Sequence, residues 1–156
     1  MKKTIFIISL LTFLYSCKKD TVTVSYPDCS KKTNEINLVK GLIAGNYDWV
    51  KTYMYHFTFR DTLTPQNQGY TLQYQFDKNG TVSFYKNNQI QWTNNYEVDY
   101  EFKVSTYPLD SNTIVIIKDK QTGQRTQFFR PYLCNDSAYF YNPYSSITVV
   151  NFYKRN

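Results

Sequence analysis

From Tyr96 to Val104 every second residue is aromatic or β-branched and each residue between carries a charge: Tyr96, Val98, Tyr100, Phe102 and Val104 alternate with Glu97, Asp99, Glu101 and Lys103. A period of two puts the apolar set on one side of an extended strand and the charged set on the other, so burying one side sends the other into water. The pattern recurs. Tyr70, Leu72, Tyr74 and Phe76 alternate with Thr71, Gln73 and Gln75, the turn Asp77-Lys78-Asn79-Gly80 reverses the chain, and Val82 to Lys86 returns. Further strands are expected from Tyr47 to Thr58, from Gln89 to Trp92 after a reversal at Asn87-Asn88, and from Ile114 to Lys118. Arg125 to Phe129 follows the turn at Thr122-Gly123, Ser137 to Tyr141 comes next, and Ile147 to Tyr153 follows Asn142-Pro143. In the first strand Tyr47, Trp49, Tyr53, Tyr55 and Phe57 are expected on one face, interrupted by Lys51; Thr64-Pro65 reads as a loop and Pro131 as a strand end or edge.

About eight or nine strands joined by short links predict an all-β fold, an eight-stranded up-and-down antiparallel barrel with a β-sandwich as the rival. Closure removes the edges that aromatic strands would otherwise offer to neighbours. Ahead of the strands, Ile36, Val39, Leu42 and Ile43 follow helical spacing. They predict one short helix capped by Asn34, stopped by Gly45 and placed over one end of the barrel.

The first residues have another character. Lys2 and Lys3 form a positive region, Thr4 to Tyr15 an apolar run too short to span a bilayer, and small Ser16 precedes Cys17. Leu14-Tyr15-Ser16-Cys17 resembles a lipobox, which implies cleavage before Cys17 and lipid on its thiol and new amino group. Residues 1–16 then form a lipoprotein signal peptide, 17–32 a polar flexible tether containing Pro27, and 33–156 the barrel domain. More than one acyl chain anchors stably, at about 0.8 kcal/mol per buried methylene. The expected address is the cell envelope, with the outer membrane favoured because Lys18 rather than an acid follows Cys17.

Removing Lys2 and Lys3 with the leader leaves sixteen basic and twelve acidic side chains, a balance of +4. The charges are scattered, and no basic stripe interleaves with aromatics, so nucleic acid is not an expected partner. With Cys17 committed to lipid, Cys29 and Cys134 remain in an exported chain, and a disulfide between them is expected, two free thiols being the alternative. It would close a loop of about a hundred residues, worth up to roughly 4 to 5 kcal/mol in the chain-entropy model.

Leu42-Ile43-Ala44-Gly45-Asn46-Tyr47-Asp48-Trp49, Thr64-Pro65, Gly69-Tyr70-Thr71-Leu72, Phe76, Asn79-Gly80-Thr81-Val82, Tyr85 and the ending Asn151-Phe152-Tyr153-Lys154-Arg155 together resemble the lipocalin-like lipoproteins of Bacteroidetes-type bacteria, with Tyr47 in place of a first tryptophan. The resemblance implies an eight-stranded barrel, closed at one end, with a central cavity for a small apolar molecule. On their own physics these residues are scaffold. Gly45 permits close approach at the helix-to-strand corner, and Tyr47 or Trp49 is large enough to plug the base against the helix.

Reactive groups are sparse, no cofactor or metal site is implied, and no enzymatic activity is expected. Glu97, Asp99 and Glu101 share a strand face at roughly the spacing of glycosidase carboxylates, but the apolar residues opposite them send that face to solvent. His56, the single histidine, falls on a polar side and reads as a surface residue. The aromatics are the excess, sixteen Tyr, eleven Phe and two Trp, more than a small core holds. Trp92, Tyr107 and Tyr144 are expected in exposed positions. Trp49, Tyr53, Tyr74 and Tyr100 are the candidates to face a cavity that takes a small apolar or amphipathic ligand. A filled barrel, acting as a structural or interaction lipoprotein in an envelope complex, is the alternative.

Overall fold

The computed structural model describes residues 35–101, 112–142 and 145–156. Its elements are α1 Ile36–Ile43, β1 Gly45–Tyr55, β2 Arg60–Leu63, α2 Pro65–Gln68, β3 Leu72–Phe76, β4 Thr81–Lys86, β5 Gln89–Tyr100, β6 Thr113–Lys118, β7 Arg125–Leu133, β8 Ser137–Asn142 and β9 Thr148–Arg155. Each strand from β3 to β9 pairs antiparallel with the next, β1 pairs with β3, and β9 returns to β1, so eight strands close into the expected up-and-down barrel. Because directions alternate, the β1–β2, β4–β5, β6–β7 and β8–β9 connections gather at one end. The other end receives α1 and the β3–β4 and β7–β8 turns.

The closed end is built as its residues suggest. The Tyr47 hydroxyl, fully buried, donates to the Ile43 carbonyl at 2.9 Å, tying the last turn of α1 to the start of β1. Arg155 of β9 donates to the Ala44 carbonyl at 3.0 Å and lies over the Tyr47 ring. Gly45 sits at φ 153°, a backbone conformation that favours glycine, and a Cβ there would come 3.2 Å from Arg155 Nε and press that side chain aside. The helix begins beside Glu35, which makes no side-chain cap; the expected cap, Asn34, lies outside the described residues. Two turns follow their chemistry. Asp77 Oδ1 accepts the Asn79 and Thr81 N–H groups, and Asn87 and Asn88 both take positive φ (50° and 63°), the combination a two-residue hairpin requires.

Several expectations need correction. β1 stops at Tyr55, and part of the expected loop is strand β2, which lies against Thr52–Tyr55 beyond the point where β3 leaves β1 at Asp48↔Gln73. Thr64-Pro65 opens the short helix α2, where Thr64 and Asn67 satisfy each other's backbone N–H groups. β5 runs unbroken from Gln89 to Tyr100, joining the expected strand at Gln89 to Trp92 to the one beginning at Tyr96, whose last expected residues, 102–104, lie outside the described residues. Pro131 lies inside β7 opposite Phe140, beyond the last β6–β7 pair at Val115↔Phe129, so no β6 ladder needs its missing N–H. Glu101 is not solvated: it is 4% exposed and takes two hydrogen bonds from Arg130, Nε to Oε2 at 3.0 Å and Nη2 to Oε1 at 2.8 Å. It follows the end of β5, where alternation no longer dictates its side, and a guanidinium compensates its burial. Glu97, by contrast, forms a half-exposed pair with Lys118 at 2.7 Å.

Tyr47→Phe is expected to lower stability by about 1 kcal/mol through the lost hydroxyl bond, and Tyr47→Ala by about 3 to 5 kcal/mol through the cavity it leaves. Urea denaturation of both variants checks this; equal losses would mean that the hydroxyl, not the ring, holds the closed end.

Candidate functional site

The barrel interior is a column of rings. At the closed end Tyr47 meets Phe76 edge-on at 5.7 Å, and Phe76 meets Tyr96 edge-on at 5.1 Å. Phe129 stacks on Phe140 at 4.3 Å, and Phe140 lies 4.7 Å from Tyr153. These contacts fill the lower half, and a cavity of about 270 Å³ remains above them toward the open end. Phe129, Phe140 and Tyr153 form its apolar part, and Tyr74, Gln127, Asn142 and Asn151 bring polar groups.

Those polar groups are positioned by neighbours. Tyr74 donates its hydroxyl to Gln127 Oε1 at 3.1 Å, linking β3 to β7 across the barrel. Trp49 Nε1 donates to Thr52 Oγ1 at 2.9 Å, and Thr52 donates onward to Asn151 Oδ1 at 2.6 Å. With its carbonyl engaged, Asn151 keeps its amide nitrogen as a donor. Burial pushes the Tyr74 hydroxyl well above the ordinary value of 10. Burial, with Tyr74 as neighbour, does the same to Tyr153. The lining therefore offers neutral donors, neutral acceptors and ring faces, and no side chain ready to act as base or nucleophile at neutral pH. Among the described residues no group of three His, Cys, Asp or Glu side chains is placed to hold a metal.

Of the four aromatic candidates, Tyr74 alone lines this cavity. Trp49 does point inward, but it is 5% exposed and already occupied, stacked on Tyr70 at 5.7 Å. Tyr100 shares the inner face of Val98, at the closed end opposite Thr113. Tyr53 is on the outer face, which corrects the expectation for β1. A bulge between Trp49 and Lys51 shifts the alternation by one residue, so Thr52 and Met54 turn inward and Lys51, Tyr53 and Tyr55 outward. Tyr53 there meets Phe152 edge-on at 5.3 Å and accepts a hydrogen bond from Lys51 Nζ at 2.9 Å. Trp92 is also corrected: it is half-buried, stacked on Phe84 at 5.2 Å against the core. Tyr107 and Tyr144 lie outside the described residues, as do Cys17 and Cys29. Cys134 stands in the β7–β8 turn, where its N–H donates to the Ser137 carbonyl at 2.8 Å. His56 is exposed in the β1–β2 turn, Nδ1 3.0 Å from Thr58 Oγ1.

Gln127, Asn142 and Asn151 escaped the sequence reading. Asn151 did carry a signal, since it is a polar residue between Val149 and Tyr153 in an otherwise apolar inward row. Comparison with protein-family models, with curated proteins and with solved structures finds no match.

A raised tyrosine pKa makes the fold favour the neutral phenol. The stabilisation from Tyr74 and Tyr153 is thus complete below pH 10 and is lost as pH rises from there toward their folded values. Spectrophotometric titration is expected to show Tyr74 and Tyr153 holding their protons until the barrel opens in base. A single transition near 10 for every tyrosine would contradict the buried placement.

Proposed function

We propose that this chain is a lipid-anchored envelope lipoprotein whose lipocalin-like barrel binds a small amphipathic molecule at its open end. The carrying observation is the lining of the mouth cavity, with ring faces below and the Gln127 and Asn151 amides beside them. The volume, about 270 Å³, falls just under the ~300 to 1,000 Å³ usual for drug-sized ligands, so the cargo is small. Its apolar part would rest on Phe129, Phe140 and Tyr153, and a hydroxyl, carbonyl or amide would meet the polar side chains. The packed lower half supports the second reading, a largely filled barrel serving as a structural or interaction lipoprotein.

Native and denaturing mass spectrometry of the same purified sample separate the two. A stoichiometric small mass released on denaturation supports the carrier, and Val149→Trp, which adds bulk beside the cavity, is expected to reduce its occupancy at least tenfold. No adduct, together with no change in melting temperature across a panel of small amphiphiles, would favour the filled barrel.

The anchor rests on the leader and Cys17, and the Cys29–Cys134 bridge on the pairing of the two remaining thiols. The intact mass of membrane-extracted protein is expected to start at Cys17, to carry acyl groups that Cys17→Ser abolishes, and to gain two hydrogens on reduction. An unprocessed N-terminus would refute the anchor, and an unchanged mass on reduction would refute the bridge.

A further inference from the structure

The open end carries exposed apolar side chains that the barrel does not use. Phe57 is fully exposed in the β1–β2 turn, Phe59 beside it is 42% exposed, and Ile90 in the β4–β5 hairpin is 59% exposed. β3 and β4 separate β1 from β5 around the ring, so the two tips stand at different points of the rim. Exposed cations accompany them: Arg60 after the first tip, Lys86 before the second, and Lys120 and Arg125 at the β6–β7 connection. Two carboxylates at this end are engaged within their own turns. Asp61 Oδ1 accepts the Thr62 N–H, and Asp119 Oδ1 accepts from the Gln121 N–H, the Thr122 N–H and the Thr122 hydroxyl.

We infer that the open end of the barrel docks on an anionic bilayer surface, with Phe57, Phe59 and Ile90 entering the headgroup region and Arg60, Lys86, Lys120 and Arg125 meeting lipid phosphates. Four cations against two internally engaged carboxylates give this rim a positive balance, the complement of an anionic leaflet. Apolar tips ringed by cations are the arrangement by which an interfacial segment combines burial with headgroup attraction. Protein strand addition is disfavoured beside the first tip, since the outward groups of Thr62 in β2 are already taken by Asp61 and Asn67.

The tether permits this orientation although the chain enters at the closed end. The sixteen residues of the tether, 17–32, reach up to roughly 55 Å, and an eleven-residue strand such as β1 spans only about 37 Å. A mouth facing the membrane would exchange an amphipathic cargo with the bilayer directly. The docking itself depends neither on that cargo nor on the lipid anchor.

The test uses the chain from residue 17 onward carrying Cys17→Ser, so that no acyl chain contributes; the nine described strands lie within it. Co-sedimentation with vesicles of phosphatidylglycerol mixed with phosphatidylcholine is expected to exceed that with phosphatidylcholine alone and to fall as salt rises. Replacing Phe57, Phe59 and Ile90 together by Ser should reduce partitioning roughly tenfold or more. Val50→Ser, which removes a comparably exposed apolar side chain from the wall of β1, should leave it unchanged. Circular dichroism confirms that each variant remains folded. Absence of partitioning onto anionic vesicles, or equal loss with Val50→Ser, would overturn the inference. A self-association in sedimentation velocity that the triple variant abolishes, with vesicle binding intact, would overturn it in favour of a second copy of the chain.

Discussion

β1 is the strand to which the rest of the molecule refers. It pairs with β9 from Tyr47↔Arg155 to Tyr55↔Thr148, with β3 along its first residues and with β2 along its last, so both ends of the sheet meet on one segment. Without that return, β9 and the side of β1 that it covers would be open edges flanked by rings, an arrangement that invites pairing between chains. The bulge after Trp49 lets one strand serve both ends. Before it Tyr47 packs the closed end; after it Thr52 reaches Asn151 near the mouth.

The barrel wall sorts the aromatic excess into two shells. Inside, rings meet edge-on or stacked from Tyr47 up to Tyr74, which limits the free space to the mouth. Outside, Tyr132 stacks on Tyr139 at 4.2 Å, Tyr139 lies 5.8 Å from Phe152, and Tyr53 closes on Phe152 with Lys51 above both rings. Such pairs contribute about 0.5 to 1.5 kcal/mol each beyond their burial, so the outer row reinforces the β7–β8–β9–β1 wall and needs no ligand to account for it.

The Glu101–Arg130 pair plays a related part where regular pairing ends. Glu101 leaves β5, Arg130 reaches it from β7, and Asn112 at the start of β6 donates to the same carboxylate at 3.2 Å. Arg130 also lies over the Tyr141 ring of β8. Four neighbouring strands, β5 to β8, thereby meet at one ion pair, and removing either partner would leave the other partly buried and unmatched.

Period-two alternation, turn residues with a reason to turn, and an apolar helical stripe were enough to determine the class of fold, its antiparallel order and the helix at the closed end. These are local properties, carried by neighbours a few residues apart and by the freedom of glycine and asparagine to take positive φ. The sequence alone did not determine which face of β1 looks inward after Trp49, that Glu101 is buried, or that Gln127, Asn142 and Asn151 meet Tyr74 around one cavity. Those depend on a bulge, on a partner twenty-nine residues away and on strands brought together by closure. Only the assembled barrel decides them, because a side chain's environment is set by what lies across the sheet, and that information is not local to the chain.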